Sequence, residues 1–484
     1  MRVDPAARAL MFEEHSSVLP HWWRESARAR TVVYLDAHLD LQFVNPDRVR
    51  RLEQCRTVEQ VAALEKPHDL CPDGEFSYSL ENFLYPASRL GLIGRLIWVA
   101  PPHVRAGYSD RAVGQLRQMD GVLPEELASF RRVDGRIEGR LLGLDITLCD
   151  FRQLERLALP ADCAIDIDVD YFVKVPGDEP WIDPREVLDV LRRLPCADGQ
   201  MTISRSVGSG FTPLRHRFLG DYLAALWEQR TDDAEHYARL FELDRRLRAG
   251  EREAAAQELG AEAARRPNCA AGWFLLGLAQ ADPAEAERCR SRAAQISAAY
   301  APSVLRAACG IRNRRLATDR AHVMQLGREL RNLAPAEQGL GYAALGLLCC
   351  AFGDLKSALD CYRSASATLG AQSQLALEIA RLLLAAGRAD EAIEFLTIAT
   401  DDDKDRSAAY GYLAFILRQG GQLERARSQL EQAHRAAPCW DEPLKVLAQI
   451  YRELGEQALA QECAGRLAAL QAQQEALRRR LASL

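Results

Sequence analysis

Two short apolar runs each end in a crowd of groups that bind hard cations. Val32-Val33-Tyr34-Leu35-Asp36-Ala37-His38-Leu39-Asp40 ends in D-x-H-x-D, and Ala164-Ile165-Asp166-Ile167-Asp168-Val169-Asp170 ends in D-x-D-x-D. Carboxylates are almost never buried unless they are paired or hold a cation, so strand ends of this composition call for compensating positive charge. A divalent metal pair supplies it most simply. Alternation along an extended segment brings Asp36, His38 and Asp40 around one point, and the upstream Glu13-Glu14-His15 offers a second imidazole. Two histidines and four aspartates form an oxygen-rich set that favours Mn²⁺ over Zn²⁺, with two ions about 3.5–4 Å apart able to activate a shared water.

The elements that must position these groups are legible as alternation. Between residues 30 and 213, β-branched runs at Thr31–Leu35, Ile93–Val99, Ile137–Cys149, Cys163–Val169 and Met201–Ser204 alternate with helical stretches at Asp47–Leu64, Leu80–Leu90, Asp110–Gln118 and Pro184–Leu194. That order predicts an α/β domain with a mainly parallel sheet, whose ligands gather at the carboxyl ends of its strands.

Beyond residue 230 the strands stop and a 34-residue period begins. Gly353, Gly387, Gly421 and Gly455 recur in step, as do Ala358, Ala392, Ala426 and Ala460, and Ala365, Ala399, Ala433 and Leu467. Small residues in phase over four repeats resemble tetratricopeptide repeats, an all-α solenoid in which they let paired helices approach closely. The expected domains are residues 1–230 for the α/β part, 235–338 for divergent helical repeats, and 339–484 for four repeats with a capping helix.

The 484 residues carry a net charge of -6, without the basic face that phosphate binding requires, so nucleic acid is not an expected partner. No apolar run reaches the roughly 20 residues that cross a bilayer, and the N-terminus has no signal-peptide core. Thirteen cysteines, scattered without a C-x-x-C pair, fit reduced thiols in a cytoplasmic protein that does not engage a membrane.

The metal-binding segments resemble the arginase and deacetylase superfamily, whose ureohydrolase branch carries D-A-H-x-D and a late D-x-D. They are more similar still to the peptide-arginase branch, with which the chain shares Glu14-His15 through Val18-Leu19-Pro20-His21-Trp22, Glu81-Asn82-Phe83, Asp166 to Phe172, and Gly210-Phe211-Thr212-Pro213. The resemblance covers residues 1–228. It implies an arginase-like fold, two Mn²⁺ ions on His15, Asp36, His38, Asp40, Asp168 and Asp170, and hydrolysis of arginine side chains in a ribosomally made precursor peptide to ornithine and urea. Asp166 is left as a supporting charge, with a register that can shift by two.

The chain departs from classical arginases where those carry a proton-transfer histidine and a guanidinium-binding glutamate; the corresponding stretches read Ser79-Leu80-Glu81-Asn82 and Ile203-Ser204-Arg205-Ser206. Glu81, helped by Asn82, is the candidate for gripping a guanidinium, and His68 or His103 for moving protons. Against these stands a local reading, in which Ser79 caps a helix and Glu81 complements its dipole. Gly208-Ser209-Gly210 reads as a turn or as a place where backbone N–H groups meet a bound peptide, and His236 and His434 read as surface or packing residues. The repeats would bind the precursor's leader or another protein. Two other functions remain open: a metal-dependent hydrolase of a small guanidino compound or acylated amine, and a repeat scaffold carrying an idle hydrolase domain.

Overall fold

A computed structural model describes residues 8–25, 28–68, 70, 76–105, 108–174, 177–196, 200–312, 320–370, 373–401 and 405–481. The chain divides into two compact units, each assembled from segments distant in sequence. One contains residues 1–15 and 154–316, the other 16–153 and 317–484.

In the first unit, strands Ala9–Phe12, Met201–Ser204 and Ala164–Asp168 lie side by side, all parallel, with Met201–Ser204 in the middle. The register sets Phe12 beside Ser204 and Ser204 beside Asp168. All three strands therefore end together, and the residues that follow each emerge at one edge. Ile165, Ile167, Met201 and Ile203 are buried, as expected for strands covered on both faces. Helix Pro184–Leu191 starts from an Asp183 cap and packs on helix Phe218–Trp227. Helices Thr231–Arg248, Arg252–Arg265, Ala270–Ala279 and Pro283–Ile296 follow, each packed on the next. A disulfide joins Cys163, just before the Asp166 strand, to Cys196. This corrects the expectation of reduced thiols at that pair alone, the other described cysteines being free: the crossover returns the chain beside its own start, a proximity that sequence spacing does not report.

The second unit carries strands in the order Arg30–Leu35, Ile93–Val99, Leu144–Cys149, Arg136–Leu141 and Arg131–Val133. The first three are parallel and the last two antiparallel. The run expected at 137–149 is thus a hairpin, turned by Leu142 (φ 50°) and Gly143 (φ 82°), whose left-handed backbones match a tight primed turn. The helix expected at 47–64 is likewise two, Pro46–Gln54 and Val58–Ala62, because Thr57 and Gln60 form a reciprocal cap that starts a new helix.

Helices of this unit pair as hairpins: Pro335–Ala351 with Leu355–Leu369, Ser373–Ala385 with Ala389–Ala399, Arg406–Gln419 with Leu423–Ala436, and Asp441–Glu453 with Gln457–Leu481. The 34-residue period maps onto them. Ala358, Ala392, Ala426, Ala365, Ala399 and Ala433 are wholly buried between helices. The periodic glycines do something other than permit close packing. Gly353, Gly387, Gly421 and Gly455 all have φ of 71–80° and end the first helix of each pair, a left-handed cap that side chains resist. The last helix, Gln457–Leu481, packs back on Tyr108–Gln118, Pro124–Ser129 and Arg131–Val133. There Arg480 donates to the Ala128 carbonyl (2.7 Å), and nearby the Gly121 N–H donates to the Ala436 carbonyl (2.7 Å). No helix among the described residues is long and apolar enough to cross a membrane.

A Cβ at Gly387 would touch nothing within 4 Å, so its substitution isolates backbone strain. Gly387→Ala is expected to cost about 1 kcal/mol and Gly387→Asn less, since Asn tolerates the left-handed region. The shift in urea midpoint measures it; equal stability of all three proteins would refute a conformational role.

Candidate metal centre

In the first unit, the shared ends of the three strands concentrate charge. His15 Nε2 lies 2.8 Å from Asp166 Oδ2, and its Nδ1 lies 3.2 Å from Asp168 Oδ2. His15, Asp166, Asp168 and Asp170 are all buried, at 0%, 0%, 3% and 1% exposure. Thr202 Oγ1 donates to Asp166 Oδ1, and Ser206 Oγ donates to Asp168 Oδ2. Asp168 Oδ1 accepts the Asp170 N–H at 3.0 Å, a cap that turns the chain into the short helix Val169–Phe172. Asp166 thus fixes the imidazole from one side while Asp168 faces it from the other. Burial, and then the neighbouring charge of Asp170, raises the Asp168 carboxyl above its ordinary range.

Glu14 had no assigned role in the sequence reading, yet it is 9% exposed and burial pushes its carboxyl up to about 8. Its Oε1 accepts the Ser209 N–H at 2.9 Å, while Oε2 has no hydrogen-bond partner. Gly208 makes room at that approach, since a Cβ there would force Glu14 Oε1 to shift. The Gly208–Gly210 loop therefore grips a buried carboxylate next to His15, and its Ser209 amide is spent on Glu14. The only hint in the sequence was a second acidic residue before His15.

In the second unit, strand Arg30–Leu35 delivers Asp36, buried at 1% exposure. Its Oδ1 accepts the His38 N–H at 2.6 Å, and its backbone carbonyl accepts the Trp98 indole N–H at 3.0 Å. The Tyr34 hydroxyl sits between two carboxylates, 2.7 Å from Asp36 Oδ2 and 2.9 Å from Asp40 Oδ2. His38 Nδ1 stands 3.7 Å from Asp36 Oδ1 with its side chain 43% exposed. The segment thus presents one fixed carboxylate, a tethered second one and a reachable imidazole.

The Glu81-Asn82-Phe83 turn is tied to this segment, since the Leu84 N–H donates to the Asp40 carbonyl at 3.2 Å and Phe83 packs on Tyr34 and Trp22. Asn82 is buried and Glu81 partly so. The cap runs opposite to the local reading: Asn82 Oδ1 accepts the Ser79 N–H at 2.8 Å. His68 and His103 are half-buried, the latter in helix Pro102–Arg105.

The donor chemistry of each unit suits a hard divalent ion, since buried carboxylates and neutral imidazoles supply oxygen and nitrogen and no thiolate. Among the described residues, a buried His/Asp cluster could hold a metal ion. The second unit's repeats carry a separate feature, a groove of about 620 Å³ lined by Leu384, Tyr412, Phe415 and Trp440, with Arg381 and Arg418 also in its lining.

No family model matches the chain, and no curated protein matches it in sequence. The chain is similar to several solved structures. The protein titled "MamA MSR-1 C2" is 12% identical, with 31% of this chain and 96% of that one covered at a TM-score of 0.26. YrrB, titled a TPR protein with an unusual peptide-binding site, is 14% identical, with 47% and 100% covered at 0.26. The APC/C hetero-tetramer Cut9–Hcn1 is 14% identical, with 65% and 62% covered at 0.27. Likenesses this distant bear on neither activity nor partner.

Just past the Gly210-Phe211-Thr212-Pro213 turn, His216 is fully buried and hydrogen-bonds the Asp178 carbonyl through Nε2 at 2.8 Å. Burial lowers its pKa from 6.5 to about 4, against the opposing charge of Asp244. Folding thus favours the neutral ring: its contribution is complete above about pH 6.5 and is lost as pH falls towards 4, at up to about 3 kcal/mol. Chemical denaturation at pH 7 and pH 4.5 should show this loss in the native protein and a smaller one in His216→Asn. An identical loss in both would assign the acid sensitivity elsewhere.

Proposed function

We propose that this protein is a manganese-dependent peptide arginase, hydrolysing arginine side chains of a ribosomally made precursor to ornithine and urea. The observation that carries the reading is the presence in one chain of D-A-H-L-D, with Asp36 buried and His38 reachable, and of a late D-x-D whose carboxylates are buried around His15. His15, Asp36, His38, Asp40, Asp168 and Asp170 would hold two Mn²⁺ ions. When bound, such a pair lowers the pKa of water and supplies a nucleophile at neutral pH.

The chain's own residues do the rest. Asp166 and Thr202 hold the His15 ring in orientation, as a carboxylate behind a ligand histidine does. Tyr34 keeps Asp36 and Asp40 at a fixed separation. Glu81, on a turn anchored to the Asp40 backbone, is the carboxylate assigned to the cationic guanidinium, and Asn82 braces that turn. The aromatic groove of the repeats supports a peptide rather than free arginine as substrate. Tyr412, Phe415 and Trp440 offer apolar surface to an extended leader, and Phe415 is 58% exposed. Tethering by such a site raises the effective concentration of the arginine-bearing segment.

The test is incubation of the full chain with Mn²⁺ and arginine-containing precursor peptides encoded beside its gene, read by mass spectrometry. Loss of CH₂N₂ per modified arginine is expected, and its disappearance in Asp36→Ala/His38→Ala. Trp440→Ala should slow turnover of the full precursor about tenfold or more while sparing a leaderless peptide. Bound Mn²⁺ without any mass change would overturn the peptide substrate, and equal losses on both peptides would overturn leader recognition.

A further inference from the structure

A second reactive constellation lies among the first unit's helices, apart from the carboxylate cluster. His236, on helix Thr231–Arg248, places Nε2 3.2 Å from the Cys269 Sγ. Its Nδ1 is hydrogen-bonded to Glu262 Oε1, from helix Arg252–Arg265. Sulfur, imidazole and carboxylate therefore stand in a line, with the two ring nitrogens facing different partners. That is the order in which a nucleophile, its base and the group that orients the base must stand. His236 and Glu262 are 1% and 2% exposed, whereas Cys269 is half-buried and reachable.

The surroundings fit a nucleophile. Cys269 caps the N-terminus of helix Ala270–Ala279, where first-turn amides lack intrahelical partners. One turn on, Gly272 is buried, yet a Cβ there would meet nothing within 4 Å. A glycine in that setting leaves unfilled space on the thiol's own helical face. Glu262 also pairs with Arg265, which keeps it ionised and able to hold the Nδ1 proton. Burial holds the thiol above and the imidazole below their ordinary values, so the pair rests neutral, with the proton on sulfur.

We infer that Cys269 is an acyl-accepting nucleophile, activated by His236 and Glu262, for substrates carrying an acyl group on a good leaving group such as a thioester or activated ester. Sγ attacks the acyl carbon as its proton passes to His236 Nε2. A carbon–sulfur bond forms, the bond to the leaving group breaks, and the departing thiolate or phenolate recovers the proton from His236. Cys269 is left as a thioester, with no change of oxidation state.

The probe is p-nitrophenyl acetate on the full-length protein, with acetylated cysteines located by peptide mass spectrometry. Cys269 should acetylate at least about tenfold faster than Cys361, a half-buried thiol on a repeat helix that serves as the reference in the same molecule. His236→Gln should abolish that advantage, Glu262→Gln should reduce it, and a chelator should leave it intact. Melting temperatures of the variants, with the Cys361 rate, separate loss of activation from loss of fold. Should His236→Gln not fold, the Glu262→Gln ratio decides alone. Equal acetylation of the two thiols in the native protein, or an advantage unchanged by both substitutions, would overturn the inference.

Discussion

Everything in the first unit's sheet is arranged around the cost of burying negative charge. An isolated carboxylate moved out of water neutralises or finds a partner, and here Asp166, Asp168 and Asp170 are buried within five residues of one another. His15, Thr202, Ser206 and the Asp170 amide each take a share of that load. The parallel register of Phe12, Ser204 and Asp168 is what makes the sharing feasible, since it brings three strand ends to the same edge. A slip of one residue would turn every one of these side chains to the opposite face.

The second unit solves a related problem with a different device. A tyrosine hydroxyl has a single proton, and Tyr34 stands within reach of two carboxylates at once. Asp36 and Asp40 are thus restrained by one shared hydroxyl, while His38 stays accessible. Carboxylate oxygens held in place in this way are the kind of donor a hard cation takes.

Much of this was readable from the chain. Apolar runs ending in aspartates located the strands and their carboxylate-bearing ends, and Ile93–Val99 appears in the structure with the bounds its residues suggested. The 34-residue period located the helix pairs, because small residues recur wherever backbones meet. Long-range proximity was not readable. Nothing in the spacing of Cys163 and Cys196 foretells their pairing, and nothing local marks Glu14 as the carboxylate that Gly208 makes room for. The partners of His236, Glu262 and Cys269, lie 26 and 33 residues away along the chain and were equally hidden. Turn chemistry was the other blind spot. The hairpin at Leu142-Gly143 and the glycine caps of the repeats both depend on positive φ, which a pattern of apolar residues does not encode.

The interleaved composition of the two units also governs how the protein is made. Strand Ala9–Phe12 is synthesised well ahead of its partner, Met201–Ser204. At ordinary rates of translation the strand waits on the order of ten seconds or more beside the ribosome before that partner emerges. The helix Gln457–Leu481, which covers Pro124–Ser129 and Arg131–Val133, comes later still. Its edge strand Arg131–Val133 is meanwhile open to pairing with other chains, a hazard that exposed strand edges carry until they are covered. Its exposed arginines, Arg131 and Arg132, are the kind of charge that keeps such an edge solitary during the wait.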